Sequence, residues 1–155
     1  MKNEKTLKNI VIVSLDEKFA KNVAKTLADM LDMYFADCKE LIAYDLINPE
    51  EVLQKCGLDY FKKREKGVVS NCADYENSVI SVSYDLFKEY SKLFNNSYVV
   101  YLELPKLKLK EPPSKIAYQS RDEFLKNNSD MTLSFDRKAV LSAAKQIIDR
   151  LGDEL

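Results

Sequence analysis

The chain contains no histidine and no tryptophan, and only three glycines in 155 residues, the first of them Gly57. Without histidine, the commonest general base and the commonest neutral metal ligand are both missing. Without glycine before position 57, the N-terminal third has no glycine-rich loop to curl around phosphates, because such a loop needs backbone without side chains in the way. Cysteine is scarce as well. Cys38, Cys56 and Cys72 are an odd number and far apart, and no two have the short spacing of a zinc or redox motif. They read as three reduced thiols of a cytoplasmic protein. No apolar run approaches the roughly 18 residues of a membrane span. Met1–Lys8 is polar and lacks the apolar stretch of a signal peptide. The formal net charge of −1 gives no general affinity for nucleic acid or an anionic membrane.

What is present is a globular composition, 46% hydrophobic and 32% charged, at a length that suits a single domain over residues 1–155. Asn9–Val13 is a β-branched run that predicts a buried strand. Phe19, Val23, Leu27 and Met30, with Ala20, Ala24 and Ala28 beside them, predict an amphipathic helix over 16–31, capped by Asp16 or Ser14. A second strand is expected over 33–36 and a short helix over 40–47. Asn48 and Pro49 begin another helix that stops near Gly57. A helix over 58–66 is expected to end at Gly67, followed by a polar loop over 68–78. Then come a strand (78–82), a helix (84–94), an Asn95-Asn96 turn, a strand (98–102), a Lys-Pro loop (106–115), a short helix (121–127) and a strand (131–134). A last helix over 137–151 carries Val140, Leu141, Ala144, Ile147, Ile148 and Leu151 on its apolar face. Strands alternating with helices predict an α/β fold: a three-layer α/β/α domain around a five-stranded parallel sheet, joined by right-handed crossovers.

In order and spacing the chain resembles the shikimate kinases, with their P-loop kinase-like fold. Those proteins open with a strand, a G-x-x-x-x-G-K-[ST] loop and a helix of the kind V-G-K-x-L-A. Here Ile10–Val13 is followed by Val23-Ala24-Lys25-Thr26-Leu27-Ala28. The family strand ending F-I-D-x-D is similar to Tyr34–Lys39, its G-E-x-x-F-R-x-x-E to Gly57–Glu65, and its V-V-Y-L strand to Val99–Leu102. Arg121 matches the arginine of the late R-x-P-x-Y helix. The similarity runs from residue 9 to about 150.

The resemblance implies ATP-dependent phosphorylation of shikimate in aromatic amino acid biosynthesis, with ATP and Mg²⁺ as cofactors. The residues that such chemistry uses are altered. Ser14–Asn22, which matches the phosphate loop, holds no glycine, has Ala20 at the lysine position and Lys21 at the hydroxyl position, and adds Asp16 and Glu17. Like charges about 4 Å apart repel by roughly 1 kcal/mol in water and by more where burial lowers the dielectric. Lys21 reads either as a displaced loop lysine or as a solvated charge. The family's G-G-G turn is replaced by Ser83-Tyr84-Asp85, and the stretch between Leu102 and Arg121 lacks the lid arginine. The expectation is a member without catalytic or nucleotide-binding residues, metal or cofactor, acting as a binding or regulatory domain. The alternative is a working shikimate kinase with an atypical nucleotide site. By the resemblance, Arg121 and Lys62 stand where two arginines hold the substrate carboxylate. Asp37 and Lys39 stand where two aspartates lie near the metal and the ring hydroxyls. These four would line a pocket for a small anion of higher charge than shikimate. The other reading makes Lys39, Lys62 and Arg121 surface charges paired with acids. A protein partner is the second kind of ligand expected. Neither nucleic acid nor membrane is.

Overall fold

The computed structural model of the chain describes residues 9–154; the expectation about Met1–Lys8 lies outside them. The elements follow in the order β1 (Asn9–Ser14), α1 (Glu17–Leu31), β2 (Tyr34–Asp37), α2 (Cys38–Leu46), α3 (Pro49–Cys56), α4 (Leu58–Ala73), β3 (Ser78–Val82), α5 (Tyr84–Tyr90), β4 (Tyr98–Glu103), α6 (Lys115–Asn127), β5 (Met131–Ser134) and α7 (Val140–Glu154). Among the described residues the five strands form one sheet in the order β2-β3-β1-β4-β5. Every pairing is parallel, with Val11 opposite Ile80 on one side and Val99 on the other.

Alternation along β1 divides the core. Ile10 and Ile12 face one layer with Phe19, Val23 and Leu27 of α1 and Ile147 of α7. Val11 and Val13 face the opposite layer with Ile42 of α2, Val69 of α4, Phe87 of α5 and Leu125 of α6. All six residues of β1 are buried, as a central strand covered on both faces requires. No described helix is long and apolar enough to cross a membrane.

Several boundaries differ from the sequence reading. Helix α4 does not stop at Gly67 but continues to Ala73. A mid-helix glycine costs about 1 kcal/mol, and burial of Val69, Cys72 and Ala73 outweighs it. The predicted loop over 68–78 is therefore mostly helix, and a short exposed turn at 74–77 leads into β3. Helix α5 tightens into a 3₁₀ turn at Ser91–Phe94. Helix α6 begins at Lys115, where the Ser114 hydroxyl accepts the Ala117 amide at 3.1 Å. The 106–115 segment includes a 3₁₀ turn, Lys106–Lys108, and Leu109 is buried. Leu141 and Met30, expected on apolar faces, are 55% and 42% exposed, and Ala143 is the buried residue at the start of α7.

Cys38 and Cys72, 34 residues apart in sequence, place their Sγ atoms 3.1 Å from each other in the core, whereas Cys56 is exposed.

Candidate functional site

Strand order reverses at β1: its own helix leads outward toward β2, and the helix after β3 leads across to β4. Crevices open beyond the carboxyl ends of the strands at such a switch point. Among the described residues two clefts flank the β1–α1 turn, and the first turn of α1 is the wall between them. A cleft of about 440 Å³ lies between α1 and α2 and includes Lys18, Asp37, Lys39, Ser81 and Ser83 in its lining. A wider one of about 850 Å³ lies between α1, the 109–113 segment and the start of α7, and includes Asp16, Asn22, Arg121 and Lys138.

Only Leu15 and Asp16 connect β1 to α1. Asp16 is extended, at φ −103° and ψ 103°, and its carboxylate accepts the Phe19 amide at 2.8 Å. The carbonyl of Asp16 accepts the Ala20 amide at 3.1 Å. The Ser14 hydroxyl donates to the Leu102 carbonyl at 2.8 Å and accepts the Asp16 amide at 3.2 Å. Lys138 then brings its Nζ to 2.6 Å from the Asp16 carboxylate, whose side chain is only 8% exposed. A helix N-terminus presents unsatisfied N–H groups and favours negative charge. Here the chain's own carboxylate supplies that charge.

In the smaller cleft, Asp37 is committed through both oxygens. Oδ1 accepts the Ser81 hydroxyl at 2.5 Å, and Oδ2 accepts the Glu40 amide at 3.0 Å, capping α2. Two ion pairs cross between the helices that flank this cleft: Lys39 with Glu17 at 3.1 Å, and Lys21 with Glu40. All four side chains are at least 39% exposed, so neither pair contributes more than about 1 kcal/mol.

The four residues singled out from the sequence are thus divided. Asp37 and Lys39 line the smaller cleft, and Arg121 lines the larger. The Arg121 guanidinium lies 5.6 Å from the centre of the Tyr84 ring, which meets Phe124 edge to face. Lys62 lines neither cleft. Its ammonium bridges Glu65 at 3.2 Å and Glu89 at 2.9 Å, and the Tyr90 hydroxyl donates to Glu65 at 2.8 Å. The hydrogen bond to Glu89 is the main cause that raises the Lys62 pKa and lowers that of Glu89. Among the described residues no three Cys, Asp or Glu side chains gather as a metal site. The sequence reading missed Lys138 and Lys18. The charge of Lys138 just before α7 was visible, but its meeting with Asp16 was not.

The family model for shikimate kinase matches residues 21–151. The chain belongs to the shikimate kinase family. Solved shikimate kinases share its fold. The enzyme from Acinetobacter baumannii, in complex with shikimate, is 21% identical with a TM-score of 0.74, covering 96% of this chain and 94% of that one. Shikimate kinase from Aquifex aeolicus is 19% identical with a TM-score of 0.72, covering 93% and 96%. That from Bacteroides thetaiotaomicron is 18% identical with a TM-score of 0.67, covering 94% and 98%. At such identities the likeness is one of fold. No curated protein matches the chain significantly. In this shikimate kinase family member the two clefts lie on either side of the strand-to-helix turn that opens the fold.

Proposed function

We propose that this member of the shikimate kinase family binds a small anionic metabolite without phosphorylating it, and that it acts as a regulatory or binding domain. The observation that carries this reading is the β1–α1 turn. Phosphoryl transfer depends on positioning and on neutralising the charge of the transferred group. A phosphate cradle needs successive unpaired N–H groups and room for the phosphates. This turn has two residues, no glycine, and a carboxylate on the Phe19 amide. The family match beginning at residue 21, beyond that turn, agrees with its divergence.

The acceptor side retains charge that a ligand can use. In this reading Lys39 contacts the anion in the smaller cleft, and Asp37, held by Ser81 and the Glu40 amide, shapes the floor of that cleft, whereas Arg121 faces the larger one. Lys62 serves the fold through Glu65 and Glu89. A ligand with more than one carboxylate or phosphate fits best, because it must displace Glu17 from Lys39. A working kinase with an unusual nucleotide site is the rival. It draws support from Lys18, Lys110, Arg121 and Lys138 around the larger cleft.

The two readings separate in one assay. Incubation with ATP, Mg²⁺ and shikimate is expected to release no ADP, and ATP with Mg²⁺ to leave the melting temperature unchanged, since a ligand specific for the folded state must raise it. Sustained ADP release that depends on shikimate establishes the rival. Calorimetric titration with shikimate, a cyclic dicarboxylate and inorganic phosphate tests the binding itself. Heat with the dicarboxylate that is lost in the Lys39→Ala variant supports it, and no heat with any of the three overturns it.

A further inference from the structure

Two of the three cysteines meet in the core beneath the edge of the sheet. Cys38 is the first residue of α2, immediately after the end of β2, and Cys72 lies in the last turn of α4. Both side chains are fully buried, and their sulfurs are 3.1 Å apart. A disulfide needs about 2.05 Å, so the sulfurs have about 1 Å to close. We propose that Cys38 and Cys72 are a disulfide-forming pair, which a small-molecule disulfide oxidises to tie the start of α2 to the end of α4.

The chemistry is thiol–disulfide exchange. One cysteine gives up its proton and attacks a sulfur of the oxidant R–S–S–R. A mixed disulfide forms and one RS⁻ leaves, to be protonated to RSH. The second cysteine loses its proton and attacks the protein sulfur of that bond, which releases the second RSH. Two S–H groups become one S–S bond, and the two electrons reduce the oxidant. The second step is intramolecular between atoms already in contact, which gives it a high effective concentration.

Access comes from the end of a helix. Cys72 is followed by Ala73, the last residue of α4, and then by exposed residues 74–77. Terminal turns open at small free-energy cost compared with core elements. The hydrogen bond with Cys72, followed by burial, raises the Cys38 pKa, so exchange in the closed state is slow and proceeds through such openings. Asn9 limits them, because its amide donates to the carbonyls of Ala73 at 2.9 Å and Tyr75 at 2.7 Å. Since Cys38 directly follows Asp37, the bond also anchors the end of β2 that floors the smaller cleft.

The test uses a C56S chain, which removes the exposed thiol, incubated in native buffer with oxidised glutathione. The protein is then unfolded, treated with a maleimide and weighed intact. The expected result is loss of two hydrogens with no maleimide and no glutathione attached. The melting temperature rises by about 8–15 °C for a bridge closing a loop of this size, and a dithiol reverses it. Two maleimides per chain, or glutathione retained on one cysteine, overturns the proposal. If C56S does not fold, peptide mapping of the oxidised natural chain gives the same answer: a bridge between the Cys38 and Cys72 peptides supports the pair, and bridges only through Cys56 sink it.

Discussion

The ammonium of Lys138, just ahead of the last helix, stands 2.6 Å from the carboxylate of Asp16, which caps the first. These residues lie far apart in sequence and meet at the turn between β1 and α1. The carboxylate does two things there: it satisfies the Phe19 amide and it neutralises Lys138.

The two roles separate by substitution. Asparagine caps a helix about as well as aspartate, but it cannot pair with a cation; alanine does neither. Asp16→Ala is expected to lower stability by about 1–2 kcal/mol, and Asp16→Asn by about half as much. Urea denaturation of both variants measures this. Equal losses would show that the ion pair, not the cap, dominates.

Lys62 and Lys39 are expected to differ sharply. Glu65, the partner of Lys62, has a side chain only 10% exposed, whereas Glu17, the partner of Lys39, is 48% exposed. Removing one partner of a buried charge leaves its desolvation uncompensated. Lys62→Ala should therefore cost about 1–2 kcal/mol, softened by the Tyr90 hydroxyl that remains on Glu65, and Lys39→Ala no more than about 0.5 kcal/mol. Thermal or urea unfolding compares them directly.

Acid should expose a second, partly buried network. Burial alone would raise the Asp122 pKa, but hydrogen bonds from Tyr101 and Lys126 outweigh it and hold the pKa below the usual carboxylate value. A depressed carboxylate stabilises the fold at pH values above its unfolded pKa, about 3.9, and that contribution fades as pH falls further. The urea midpoint should change little from Asp122 between pH 7 and pH 5 and fall below pH 4. Asp122→Asn should lower the midpoint at pH 7 and flatten the acid decline. A variant with an undiminished acid slope would assign that slope elsewhere.

Gly67 lies inside α4, with nothing within 4 Å of where a Cβ would stand. Alanine there should stabilise the protein by about 0.5–1 kcal/mol, because it removes the entropy that glycine loses in a helix. The same change at Gly57, where φ is +87°, should destabilise it. Melting temperatures of the two variants should move in opposite directions.

Much of the fold was legible in sequence because its signals are local. A β-branched run announced β1, a threefold and fourfold apolar spacing announced α1, and Asn48-Pro49 announced the start of α3. The missing glycines before Gly57 were also visible without a structure, and the proposal of a lost phosphate loop starts from them. Boundaries set by burial were not legible: Gly67 looked like a stop, and only the packing of Val69 and Cys72 keeps α4 going. The candidate site depended still more on tertiary structure. Charge type at 37, 39, 62 and 121 was plain, but whether each cation faces a cleft or a partner depends on contacts between distant segments. Glu89 claims Lys62, Tyr84 lies under Arg121, and Lys138 reaches Asp16. The cysteines carry the same lesson, because sequence spacing separates Cys38 from Cys72 and the sheet edge brings them together. Local chemistry is written along the chain, and a meeting of two side chains is a property of the folded layers.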